Sequence, residues 1–221
     1  MKFLAYDGPL ATAIRKGFEL FVLNICLCLC CIPVVTAGAA VTALYGIFMS
    51  KEKSEEPISG FFTEFRRNFR QATAIWLVLL AVGAMLGSAW LAVLLAEFPG
   101  RGLVRILLIL CTTLYASVSG FALALQARYE NSLKQTLRNA MVFGTVGIVN
   151  GMLSAMVCFL PVIVFFMAID LMPLVLSFWI PLGGALSCKI SAWLFASVFR
   201  QIEGMMQSAP ETEKSDMPKH V

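Results

Sequence analysis

Lys189 is the residue whose type fits its surroundings least in this 221-residue chain, because it interrupts an otherwise apolar stretch. Counted back from Arg200 it lies 11 positions up a helix, about 16 Å at 1.5 Å per residue, near the middle of a bilayer if that helix crosses one. Ionisable residues at such depth are costly, and by default they mark a site. No Asp or Glu lies in the hydrophobic part of any span to pair with it. The candidate partners are therefore Asn24, Asn150, and carbonyls freed by Pro161 or Pro181. Together Lys189, Asn24 and Asn150 form a candidate intramembrane polar site of the kind a sugar or an ion would follow. The structural alternative is that Lys189 snorkels to the inner interface. Asn24, Asn150, Thr42, Tyr45, Ser117 and their like are then hydrogen-bonding glue between helices.

A second set of residues is suited to docking. Residues 58–72 read ISGFFTEFRRNFRQA, with Ile58, Phe61, Phe62, Phe65, Phe69 and Ala72 at helical spacing and Arg66, Arg67 and Arg70 between them. That pattern predicts a basic amphipathic helix lying on the inner headgroup surface. The segment 133–140 lines up with 65–72 at an offset of 68 residues and places Lys134 and Arg138 similarly. If the blocks are a true duplication, it is a parallel one, related by an axis along the membrane normal. Arg66, Arg67, Arg70, Lys134 and Arg138 are the candidate inner-face docking residues.

Other chemistry finds less support. Four of the seven cysteines fall in Cys26-Leu-Cys28-Leu-Cys30-Cys31, but no paired CxxC or Cys–His ligand set accompanies them, and the only histidine is His220. Buried Cys is ordinarily a small hydrophobe. No nucleophile–base arrangement, phosphate loop or carboxylate pair is present in the pattern. No catalytic residue, metal or cofactor is expected.

These residues have to be held by membrane helices. Hydrophobic residues make up 59% of the chain and charged residues 14%, against roughly 45–50% and 25% in soluble domains. Uncharged runs cover residues 20–50, 71–96, 106–127, 139–169 and 171–188, and a spanning helix needs about 20 residues. This composition excludes a soluble enzyme, a nucleic-acid-binding domain and a disordered chain. Pro33, Thr36 and Gly38 divide the first run, predicting two short helices over 18–32 and 37–50, a shallow or partly re-entrant hairpin whose turn is tolerable only if packed against protein. Further spans are expected at 73–95, 104–126, 142–167 and 173–199, the last interrupted by Pro181 and Lys189. Ala37-Gly38-Ala39 resembles a signal-peptide cleavage site, yet residues 40–50 continue without charge, which suits a second helix better.

Orientation follows from the basic residues. With the amino terminus inside, fourteen Lys and Arg fall on the inner side and only Arg101 and Arg105 outside, with Lys189 within a span. Basic loops stay cytoplasmic, so both termini are expected there, and the net charge of +4 is a topological signal that needs no nucleic acid.

A family resemblance rests on Leu23-Asn24, Ile32-Pro33-Val34-Val35-Thr36-Ala37-Gly38, Thr42-Ala43-Leu44-Tyr45, Phe61-Phe62, and Phe65 through Ala72 with Trp76, joined later by Asn131, Leu133, Lys134, Leu137, Asn139 and Ala140. As a set these resemble the YesL family (domain of unknown function 624), across most of residues 15–200. Members often carry Pro after that glycine, where this chain has Ala39. The resemblance implies a bacterial integral membrane protein of unknown activity, encoded near carbohydrate ABC transporter and polysaccharide-degradation genes.

The expected architecture is an all-α polytopic membrane protein. It has a helical bundle of about six hydrophobic segments, the first two short, and two basic amphipathic interfacial helices on the inner face. Residues 1–204 form one membrane domain and 205–221 a polar, disordered cytoplasmic tail. The expected function is a non-enzymatic accessory or scaffold for carbohydrate ABC-type uptake in the bacterial plasma membrane. Its expected partners are anionic lipid headgroups, transporter subunits, or a second copy of itself. The alternative is a small secondary transporter or channel with a polar path near Lys189.

Overall fold

The computed structural model describes residues 9–50, 56–97, 99–129 and 131–208. Within these the chain is helical throughout: α1 (Pro9–Cys31), α2 (Ala37–Met49), α3 (Pro57–Leu95), α4 (Arg101–Arg128), α5 (Leu133–Val146), α6 (Ile148–Cys158), α7 (Leu160–Met167), α8 (Met172–Phe178) and α9 (Gly184–Ser208). A core of α2, α4 and α9 is wrapped by α1, α3, α5 and α6. Its centre is aromatic: the Phe121 and Phe195 rings meet at a tilt of 45°, 4.3 Å between centroids, with Phe143 and Phe199 beside them.

Apolar side chains face outward as well as inward. Only 11% of the most apolar window of α3 is buried, and 22% of those in α4 and in Ile169–Met205. Leu95, Phe166, Met167 and Trp193 stand free of the protein. So much contiguous exposed apolar surface is foreign to a water-soluble monomer and is what a bilayer requires. These stretches are compatible with an integral membrane protein.

Not all of the six hydrophobic segments expected reach the length of a span. Three helical stretches among the described residues are long and apolar enough to cross a membrane, or four if the bent pair α5–α6 counts as one. The first two segments fall short for a reason of length. The uncharged part of α1, residues 20–31, and the 13 residues of α2 reach about 18–20 Å at 1.5 Å per residue, less than the ~30 Å hydrocarbon core. Their turn is not packed under protein: Ile32 is 75% exposed and Val34 62%. Its polar groups are satisfied locally instead. Thr36 Oγ1 donates to the Cys30 and Pro33 carbonyls, and the Trp76 indole donates to the Val34 carbonyl at 2.7 Å.

The first interfacial helix does not exist as a separate element. Residues 58–72 are the opening turns of α3, which runs unbroken for 39 residues, about 58 Å. After Pro57 nothing interrupts it, and Phe61, Asn68, Ala72, Ile75 and Leu79 bury one continuous stripe that holds both halves in line. The amphipathic face is also split, with Phe61 fully buried while Ile58, Phe62 and Phe69 are exposed.

The expected helix over 142–167 is three helices. A 98° bend separates α5 from α6 at Gly147, where a Cβ would press into the Phe121 ring. The chain breaks again at Phe159, before α7 takes up Pro161 in its first turn, where a missing N–H costs nothing. The two aligned basic blocks thus enter different structures, a straight 39-residue helix and a sharply bent pair, and the duplication reading loses its support. Finally, α9 continues to Ser208, so residues 205–208 are helical rather than tail. Residues 209–221, like Lys51 and Lys53, lie outside the described residues.

Candidate functional site

Pro181 shapes the most distinctive polar contact of the bundle. It lacks an N–H, so the helix through it loses an i→i−4 bond, and Trp179–Gly183 adopts a wider π turn, a single-turn bulge within the helix. Asn24, wholly buried on α1, meets that turn: its Nδ2 donates to the Ile180 carbonyl at 2.6 Å and its Oδ1 accepts from the Ala185 amide at 2.7 Å. One side chain therefore satisfies both backbone groups left by the break. Gly184 leaves room for it, since a Cβ there would meet Asn24 Oδ1 and Leu27.

Asn150 lies elsewhere. From α6 its Nδ2 donates to the Leu194 carbonyl at 3.2 Å and to Ser197 Oγ at 3.0 Å. One helical turn on, Ser154 Oγ donates to Ser191 Oγ at 2.7 Å, inside the core. Ser117 Oγ donates to the Gly144 carbonyl at 2.8 Å across the α4–α5 contact. These contacts join helices to helices, and the two asparagines hold different stretches of α9 rather than facing each other.

Lys189 is exposed. It lines a cleft of about 240 Å³ together with Arg15, Lys16 and Glu19 of α1, Ser50 at the end of α2, and Pro57 at the start of α3. Ser50 and Pro57 mark the ends of α2 and α3, while Arg15, Lys16 and Glu19 lie in the first half of α1, so Lys189 lies level with the rim that α2 and α3 form. Beyond it α9 continues past the end of α2 to Ser208. A second cleft, about 320 Å³, lies on the other side of Lys189 against Phe48, Met49, Arg128 and Trp193.

The same end of the molecule gathers most other charges. Arg128 pairs with Glu203 at 2.7 Å and lies 5.1 Å from the centre of the Phe199 ring. The Tyr129 hydroxyl donates to the same Glu203 oxygen, and burial, reinforced by that bond, pushes the phenol up to about 12. Gln126 Nε2 donates to Gln71 Oε1 at 2.8 Å, tying α4 to α3, and Thr136 donates to Gln126 from α5. Arg66, Arg67, Arg70, Lys134 and Arg138 are all exposed here, with Arg67 held by Glu64 at 2.6 Å.

Part of this geometry coincides with a known family. Residues 20–90 match the model of a family described as a protein of unknown function, DUF624. No curated protein and no solved structure gives a match. The matched stretch is similar to DUF624 across the uncharged part of α1, the turn, α2 and α3 as far as Trp90. It includes a tight junction, where a Cβ on Gly38 would overlap Trp76 while the Trp76 indole holds the Val34 carbonyl.

Sequence patterns did not single out Arg15, Lys16 and Glu19 as site residues, because on α1 they read as an ordinary basic flank. The Arg128–Glu203 pair was illegible for another reason. Its partners are 75 residues apart, and no local spacing connects them.

Proposed function

We propose that this chain is an integral protein of the bacterial plasma membrane, with its basic end toward the cytoplasm, serving as a non-enzymatic accessory or scaffold for a carbohydrate ABC-type uptake system. The observation that carries this reading is the contrast between the two kinds of polar group. Inside the bundle, Asn24, Asn150, Ser117 and Ser154 are occupied in joining helices. At one end Arg66, Arg70, Lys134 and Arg138 are exposed, available to acidic partners or lipid phosphate. The excess of Lys and Arg in alternate loops supports the orientation, and the carbohydrate association comes from the family resemblance.

Affinity purification of the full chain in mild detergent tests it. Permease or ATPase subunits should co-purify with the wild type and be lost from a variant carrying Arg66→Gln, Arg70→Gln, Lys134→Gln and Arg138→Gln. If that variant retains the same partners, docking through the basic end is wrong.

The cleft at Lys189 favours a second reading, a small secondary transporter or channel. In proteoliposomes, Lys189→Ala that left solute flux unchanged would remove the lysine from such a path.

A further inference from the structure

We infer that the cleft at the basic end of the bundle binds the headgroup of an anionic glycerophospholipid, with Lys189 and Lys16 on its phosphate. Among the described residues three cations line the cleft, Arg15, Lys16 and Lys189, against one acid, Glu19. Glu19 lies 3.9 Å from Arg15 in a loose contact between exposed side chains, so positive charge remains in excess. Among the described residues Lys16 and Lys189 have no ion pair, and both belong to the cleft wall. An anion is the ligand such a wall is built to hold.

The rest of the cleft decides which anion. Leu20, Leu23, Ile47 and Phe48 form an apolar wall, with Ser50 and Pro57 completing the lining. Leu20 and Leu23 follow Lys16 into the uncharged part of α1, and Ile47 and Phe48 precede Ser50 on α2, so this wall lies on the bilayer side of the cations. The second cleft shares Lys189 and Phe48 and adds Arg128, which is paired with Glu203. A headgroup phosphate held between Lys16 and Lys189 therefore has an apolar wall leading from it toward the hydrocarbon. Basic pockets between membrane helices at the headgroup level are suited to anionic lipid in just this way. A free phosphoanion would use the cations and leave that apolar wall without an occupant, so the wall favours the lipid. Lys189 is then an interfacial ligand, with its long stem lying along apolar wall and its ammonium at phosphate depth.

The inference rests on the chain residing in a membrane but not on any protein partner, and flotation of proteoliposomes scores residence separately. The test is thermal unfolding of the full chain in phosphatidylcholine nanodiscs doped with increasing phosphatidylglycerol. The unfolding midpoint should rise saturably with phosphatidylglycerol. Lys189→Gln and Lys16→Gln should each require about fivefold more of it, the worth of one basic residue near a lipid surface. Lys189→Arg should behave as wild type, and so should Arg200→Gln, which removes an exposed cation of α9 outside the cleft. Native mass spectrometry should show lipid retained by the wild type and lost from Lys189→Gln, a readout independent of stability. The assignment is overturned if phosphatidylglycerol has no saturable effect, or if Lys189→Gln keeps the wild-type dependence. Arg200→Gln weakening it equally would mean diffuse surface charge. Inorganic phosphate reproducing the shift would mean a soluble-anion site.

Discussion

Asn24 and Lys189 are both polar residues in apolar sequence, and burial separates their roles. Asn24 is wholly enclosed and bonds two backbone groups of the Pro181 turn. Asn24→Ala leaves the Ile180 carbonyl and the Ala185 amide without partners, and each buried orphan costs about 1–3 kcal/mol. Thermal unfolding in detergent should show a clear fall in midpoint, and an unchanged midpoint would mean that the π turn closes without the asparagine. Lys189→Ala in the same assay, without anionic lipid, should stay within about 0.5 kcal/mol of wild type, as exposed substitutions usually do. Glu203→Gln should cost no more than about 1 kcal/mol, because both partners of the Arg128–Glu203 pair are about a third exposed and water screens them. Raising the salt should shrink that difference.

Helix contacts turn on glycines whose sequence settings look alike. Gly87 and Gly151 both sit in small-residue patterns inside apolar helices, and both read as close-packing positions. A Cβ on Gly151 would overlap the Ser117 side chain and backbone, whereas nothing lies within 4 Å of one on Gly87. Alanine gains up to about 1 kcal/mol of helix propensity over glycine at either site. At Gly151 the obstruction includes backbone, which cannot rotate away, so overpacking of about 1–3 kcal/mol wins. Gly151→Ala should therefore unfold at lower temperature than wild type, and Gly87→Ala at the same or a higher one. Equal effects would show that the α4–α6 contact is looser than its geometry. The same logic explains α3: its long buried stripe against α2 keeps the basic turns in line with the span, so amphipathic patterning alone does not make them interfacial.

Across the whole molecule, charge and hydrophobicity sort along different directions: apolar residues outward and inward together, basic residues toward one end. Reporter domains placed after Ser208 and between Pro99 and Gly100 should lie on opposite sides of the membrane, the former cytoplasmic. Protease protection in vesicles checks this, and reporters on the same side would reverse the proposed orientation. How much of this was legible in the sequence differs from one feature to the next. The long uncharged runs and the helix-breaking Pro33 specify apolar helices and the α1–α2 turn, because hydrophobicity and a missing N–H act locally. The 98° bend at Gly147, the capture of the Pro181 break by Asn24 and the position of Lys189 at the rim were not legible there. Each depends on which residues a neighbouring helix presents: Phe121 at Gly147, an asparagine 156 positions before Ile180, and the end of α2 beside α9. The sequence by itself determined a helical chain compatible with a bilayer and the end at which its cations gather. Only tertiary packing decided where helices bend, which polar groups are used up inside, and that the lysine lies in a cleft where an anion can reach it.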